Sequence, residues 1–268
     1  MQSMKIVNLG SGSKGNCTLV ASESSTILID AGLTLAEIEA KLDALGVSPN
    51  YINGILVTHE HSDHIKSVGK FSKKYNVPVY AHKNEWFVLD SKLKDIPQHL
   101  KYAFDDRDFF VANFTVSAFE VSHDANMCVG YSIYSNGAKF SIATDLGICP
   151  DKIVEKLKGS QLVLLEANHD ENLLANNSKY PLILKKRILS NKGHLSNKQS
   201  AQVILKLVGG TNQVLLGHLS EENNSPTLAY NTIKSILAEN GIIEGKHIFI
   251  DVASQHTMSN IFEITQKK

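Results

Sequence analysis

Four side chains able to hold a divalent cation stand within six positions: His59, His61, Asp63 and His64, in the run Ile55-Leu-Val-Thr-His-Glu-His-Ser-Asp-His64. Neutral imidazole and carboxylate bind first-row divalent ions, and a pattern with no cysteine argues against a closed structural zinc site. The chemistry to expect is that of a catalytic metal site with open positions. His59 and His61 are two apart, so an extended backbone points both to one side. Asp63 and His64 open the next helix and diverge toward a second point, so two pairs of ligands aim at two nearby positions. The bland alternative, a polar surface loop with no metal, fits poorly with this spacing directly after an apolar strand.

The elements that must position these residues follow from the apolar pattern. Ile52–Val57 is largely β-branched or aliphatic and reads as a buried strand that delivers the ligand loop. Thr26–Asp30 is another strand. Asp30, at its end beside the ligand loop, could orient a metal-bound His by accepting its other ring proton. Leu33–Leu45 has helical spacing with Gly46 as its stop, giving a strand-helix-strand unit. Lys5–Leu9 and Cys17–Ala21 are strands joined by the glycine-rich turn Gly10–Asn16, which lacks the Walker spacing. Ser13, Lys14 and Asn16 in that turn could contact substrate. Further helices are expected over Ile65–Tyr75, Lys83–Leu89, Asp151–Leu157, Pro181–Leu189, from Ser196 (a good N-cap), and up to Gly241.

Polar residues of interest keep recurring where strands end. A short strand over Val77–Ala81 precedes His82, which with His99 reads as an ordinary surface or structural histidine. Asn113–Val121 ends at Ser122-His123-Asp124. Gly130–Tyr134 and Lys139–Ala143 form a hairpin turning at Asn136-Gly137, and the second strand ends at Asp145. Leu162–Glu166 runs into Ala167-Asn168-His169-Asp170, and His169 and Asp170 are further site candidates. Gln213–Leu216 leads to His218, and His247–Val252 is the last strand expected. Ligands on loops above a rigid sheet are the usual arrangement of such a site.

At 268 residues with 43% apolar content, the chain is expected to form one domain over 1–268. Lys+Arg and Asp+Glu are 27 each, so global charge says nothing for a polyanionic partner. The distribution says more. Between Asn172 and Ser220 there is no acid, while Lys179, Lys185, Lys186, Arg187, Lys192, Lys198 and Lys206 give a formal +7 against −7 for the rest. One positive face would suit a phosphate backbone, and a solvated helix face is the alternative. Cys17, Cys128 and Cys149 are scattered and odd in number, which argues against a disulfide framework. No apolar leader precedes Ser11, and no run approaches the roughly 20 apolar residues of a membrane span, so a soluble cytoplasmic protein is expected.

His59-x-His61-x-Asp63-His64 resembles the signature of the metallo-β-lactamase fold hydrolases. The resemblance extends along nearly the whole chain and is closest to the YycJ (WalJ)-like bacterial branch, related to tRNase Z and RNase J type nucleases. Leu9–Asn16, Ser122–Ala125, Ala143–Gly147, Glu166–Asp170, Gly193–Asn197 and Gly217–Asn224 carry it. It implies an α/β (α+β) fold, the αββα four-layer sandwich, whereas periodicity alone gives only mixed α and β. It also implies two divalent ions (Zn, Mn or Fe): one on His59, His61 and His123, the other on Asp63, His64 and His218, with Asp145 bridging them and Asp30 in support. Such a pair can hold and activate a water between the ions, with Asp63 among the catalytic groups. As in tRNase Z, Glu166 would pair with His194 to protonate the leaving oxygen. Gly193-His194-Leu195-Ser196 opens a helix whose N–H groups could bind a phosphate. The chain between Asp145 and His218 is too short for the extra domain of RNase J-like enzymes, and no long tRNA-gripping arm is evident.

The function expected is that of a phosphodiesterase on nucleic acid, most specifically a 5′-to-3′ DNA exonuclease acting on single strands or 5′ ends. The alternatives are a hydrolase of a small cyclic phosphodiester or thioester and, from another class, a metal-dependent regulatory binding protein without turnover.

Overall fold

A computed structural model describes residues 3–93 and 96–266. In chain order the strands are β1 (Ser3–Gly10), β2 (Cys17–Ala21), β3 (Thr26–Ile29), β4 (Ile52–Leu56), β5 (Val79–His82), β6 (Lys101–Phe104), β7 (Phe109–Val111), β8 (Phe114–Glu120), β9 (Val129–Ser135), β10 (Ala138–Ala143), β11 (Leu162–Glu166), β12 (Gln213–Gly217), β13 (Phe249–Val252) and β14 (Phe262–Thr265). The helices are α1 (Leu35–Ala44), α2 (Ser62–Ile65), α3 (Val68–Tyr75), α4 (Lys83–Lys92), α5 (Asp151–Leu157), α6 (Glu171–Asn176), α7 (Leu182–Ile188), α8 (Asn197–Leu207) and α9 (Pro226–Glu239).

Two seven-stranded mixed sheets form, in the orders β14-β1-β2-β3-β4-β5-β6 and β13-β12-β11-β10-β9-β8-β7. Alternation along β4 explains the layers: Leu56 packs between the sheets with Ile6, Phe114 and Tyr131, while Ile55 and Val57 turn outward to Ile38, Leu42 and Phe71 of α1 and α3. On the far side, Val154, Ile204 and Ile233 bring α5, α8 and α9 onto the second sheet. The result is the expected αββα sandwich. Its central strands are parallel, and a strand such as β11 is buried at every position because helices cover one face and the partner sheet the other.

Several boundaries differ from the sequence pattern. The expected helix Ile65–Tyr75 starts earlier and splits into α2 and α3. Ser67 explains the break: its N–H donates to the Ala31 carbonyl (2.8 Å) and its hydroxyl to that of Leu33 (2.6 Å), drawing the backbone toward the Asp30 loop. The expected last strand is β13, an edge of the second sheet, and β14 follows it to pair antiparallel with β1. The pattern also did not show β6, β7 or α6. No helix among the described residues is long and apolar enough to cross a membrane, and all three cysteines are free.

Candidate metal centre

β4 ends where its hydrophobic run ends, and the chain drops through Thr58 into the ligand loop. Asp30, one strand over, holds that loop from below. It accepts hydrogen bonds from the Thr58 N–H (2.8 Å), the Thr58 hydroxyl (2.8 Å) and His64 Nδ1 (2.7 Å). The close approach needs Gly32, where a Cβ would stand 1.6 Å from the Asp63 carbonyl oxygen. Asp30, Asp145 and His218 all sit in the left-handed region, at φ 59°, 58° and 55°. Non-glycine residues there cost about 1 kcal/mol or more, which surrounding bonds must offset. For His218, the Ser11 hydroxyl accepts its N–H at 2.8 Å.

The loops bring the expected residues together. His59, His61 and His123 offer ligand atoms within 4.8 Å of one another, and so do Asp63, His64 and His218. Asp145 lies between the groups: Oδ2 is 3.2 Å from His64 Nε2, and Oδ1 is 3.5 Å from both His123 and His218 Nε2. Four of these five histidines are held by their outer nitrogens. Nδ1 of His59 meets the Thr58 hydroxyl (3.0 Å), that of His64 meets Asp30, that of His123 meets the Gly193 carbonyl (3.3 Å), and that of His218 meets Glu166 (2.8 Å). Each Nε2 is thereby turned inward, as a ligating imidazole requires.

Three buried atoms, His59 Nε2, His218 Nε2 and Asp145 Oδ2, have no hydrogen-bond partner among the described residues. Other buried polar atoms are unpaired too, Asn8 Oδ1 and both His169 ring nitrogens among them, but these three belong to side chains that converge on one cluster of potential ligands, which fits a cation. The electrostatics agree. Burial opposes charge on His64 and His218, but Asp145 with Asp30 holds the former's pKa well above the ordinary range, and Asp145, Asp63 and Glu166 carry the latter up to about 10. Burial and the neighbouring His64 hold His59 well below the ordinary range. Carboxylates this densely packed bind protons or metal, and a divalent ion would displace the protons. The donor set and the fold indicate the use of divalent metal.

Beside the cluster, Glu166 is fully buried and accepts four hydrogen bonds. His194 Nδ1 and His218 Nδ1 donate to Oε1, each at 2.8 Å, and the Leu146 and Leu195 N–H groups donate to Oε2 at 3.1 and 3.0 Å. Burial would raise its pKa, but His194 and His218 outweigh burial and hold it down at about 2. The His194 ring is 5.2 Å from the rings of both His123 and His218, so it stands over both halves of the cluster.

Other expectations are corrected. Ser196 caps α8 as the sequence indicates, but it is 1% exposed and its groups are spent. Its Oγ accepts the Gln199 N–H and donates to Glu171, and its N–H donates to Gln199 Oε1. With the Leu195 and Asn197 N–H groups on Glu166 and the His169 carbonyl, these donors cannot hold a phosphate. Asp170 is the N-cap of α6, its carboxylate taken by the Asn172 and Leu173 N–H groups. His169 is buried beneath the site with neither ring nitrogen bonded, and it joins no group of potential ligands among the described residues. The acid-free segment is not an unbroken positive face either: Lys179, Arg187, Lys198 and Lys206 pair with Glu222, Asp124, Glu171 and Asp151.

Two sets of supporting residues take roles that the pattern did not assign. Asn16 Nδ2 lies 3.2 Å from Asp63 Oδ2 and 3.0 Å from His64 Nε2, which puts the glycine-rich turn against the cluster. The sequence marked Asn16 only as a possible substrate contact, whereas its amide is taken up by the candidate ligands themselves. Glu60, between the ligands, shares a hydrogen bond with Glu85 of α4, and Asn126 donates to both. Burial, then the Glu60 carboxyl, pushes Glu85 up to about 8. The contact joins residues far apart in sequence and leaves no local signal.

Residues 25–219 match the family described as "Beta-lactamase superfamily domain". The chain is 36% identical over 240 residues to the exodeoxyribonuclease YycJ of Bacillus anthracis, covering 89% of this chain and 90% of that one. It is 34% identical over 260 residues to the exodeoxyribonuclease WalJ of Streptococcus pneumoniae, covering 96% of each. Among solved structures, the metallo-β-lactamase fold protein YhfI of Bacillus subtilis superposes with TM-score 0.74 at 16% identity, over 98% of this chain and 100% of that one. The short form of human tRNase Z superposes with TM-score 0.64 at 15% identity, over 96% and 99%. A cluster of inward-turned imidazoles and carboxylates on this fold and a family match over most of the chain agree: the protein belongs to the beta-lactamase superfamily, as a metal-dependent hydrolase of the metallo-β-lactamase fold and the YycJ/WalJ-like group.

Proposed function

We propose that this protein is a dinuclear metal-dependent phosphodiesterase, specifically a 5′-to-3′ DNA exonuclease acting in the cytoplasm on single strands or 5′ ends. One observation carries the substrate: two relatives named exodeoxyribonuclease match it along nearly their whole length. The 5′-to-3′ polarity rests on the resemblance to DNA-processing exonucleases. The cysteine-free donor set accommodates Zn, Mn or Fe. His59, His61 and His123 would hold one ion and Asp63, His64 and His218 the other, with Asp145 shared. Bound there, the ions would supply Lewis acidity and a nucleophilic water.

The chain's own residues do the rest. Nδ1 of His194 is committed to Glu166, so its proton for the leaving oxygen is carried on Nε2. The Glu166 carboxylate fixes the orientation of the ring, and burial of Glu166 keeps water from competing for it. The test is incubation of Mn-loaded protein with 5′-labelled single-stranded DNA beside the His61→Ala variant. Release of labelled mononucleotide by the wild type alone supports the reading, and an intact label with hydrolysis of a thioester or small diester refutes it.

A further inference from the structure

The segment between β11 and α8 has an unusual surface. No residue of α7 is buried, and Leu182, Ile183 and Leu189 are 74, 79 and 57% exposed. Aliphatic side chains this open need a partner more than scattered ones do. The helix is nevertheless fixed against the site. His194 N–H donates to the Ile188 carbonyl at 3.0 Å, and a Cβ on Gly193 would stand 2.0 Å from that same oxygen. Tyr180, Leu184, Arg187 and Ile188 line one wall of a cleft whose other wall includes Asp124 and His194. Arg187 is bound by Asp124, next to His123. Lys186 and Lys192 have no carboxylate within ion-pair distance among the described residues, and the stretch is free of acids from Asn172 onward.

We propose that residues 173–192 guide the substrate strand: Leu182, Ile183 and Leu189 pack against the bases of single-stranded DNA, and Lys186 and Lys192 take its phosphates as it leaves the cleft at His194. This rests on the exonuclease reading. A chain that leaves the cleft on this side must cross α7, and the alternation of open aliphatics with unpaired cations matches a polyanion that exposes apolar base faces. Duplex bases are stacked away from such a surface, so the match is to a single strand.

The test compares Mn-loaded wild type with Leu182→Ser/Ile183→Ser on two substrates, a single-stranded oligonucleotide and bis(p-nitrophenyl) phosphate. The expected result is a KM for the oligonucleotide raised about tenfold, with kcat/KM for the small diester unchanged. Lys186→Glu is expected to flatten the log–log salt dependence of oligonucleotide KM by about 0.7. Equal losses on both substrates would overturn the guide, since α7 would then only support the site. An unchanged KM would overturn it too, and a simultaneous shift from dimer to monomer would assign the face to a second copy. A wild type that cleaves the small diester but no oligonucleotide defeats the exonuclease reading, and the guide with it. Wild-type DNA cleavage with an indifferent variant defeats the guide alone.

Discussion

Glu166→Gln separates the two tasks assigned to one carboxylate. Glu166 accepts from two imidazole N–H groups on Oε1 and two backbone N–H groups on Oε2, all within 3.1 Å. An amide has one acceptor end, so in either orientation its NH2 faces two donors that can find no other partner. Each orphaned buried donor costs about 1–3 kcal/mol, for roughly 2–6 kcal/mol in total. Part of this appears as lost stability and part as misorientation of His218 and His194. Loss of a hydrogen-bonded support to a ligating His typically weakens metal binding by about 10–100-fold. The expected outcome is a lower melting temperature, metal affinity reduced by about that factor, and kcat for 5′-labelled DNA reduced by about a further 100-fold at saturating metal, the scale of general acid catalysis. His194→Gln is the control: kcat falls similarly while metal content, measured by inductively coupled plasma mass spectrometry, is retained. A Glu166→Gln protein with wild-type metal affinity and turnover would refute the assignment of both roles, and loss of metal in His194→Gln would refute the separation.

Gly32→Ala places a methyl 1.6 Å from the Asp63 carbonyl, so titration calorimetry should show metal affinity lowered at least tenfold with a lower melting temperature. Ser196→Ala should cost about 1 kcal/mol in urea unfolding through loss of the α8 cap, with KM for DNA unaffected because its hydroxyl faces Glu171 and Gln199. Glu85, raised in the fold to about 8 from an ordinary 4.5, binds its proton more tightly in the native state. Its stabilising contribution is therefore complete below about pH 4.5 and is lost as pH rises toward 8, and urea midpoints should fall across that window in wild type and less so in Glu85→Gln.

The candidate ligands that the structure brings together were legible in two ways: His59, His61, Asp63 and His64 through chemistry and close spacing, and His123, Asp145 and His218 through the family resemblance of the strand ends that carry them. The strand-helix-strand units and the β9–β10 hairpin were legible because their patterns are local. Glu60 and Glu85 were not, and Asn16 was marked only as a possible substrate contact, because their roles come from contacts across the fold. Ser196 shows a different limit. Its capping signature marked the start of α8 correctly, but the pattern that announces a cap also consumes the N–H groups that a phosphate would need. β14 was missed because Phe262-Glu-Ile-Thr265 alternates over only four residues, and its strand character comes from pairing with β1. The basic segment was visible as composition, while the pairing of four of its seven cations with Asp124, Asp151, Glu171 and Glu222 depends on residues outside it.

The central claim is that two ions on this one cluster hydrolyse DNA, and the most direct measurement is nucleotide release from single-stranded DNA as metal-free protein is titrated with Mn²⁺. Release should rise until two equivalents are bound and then level off, with no release by His61→Ala at matched loading. A plateau at one equivalent, or full loading without nucleotide release, would contradict the account.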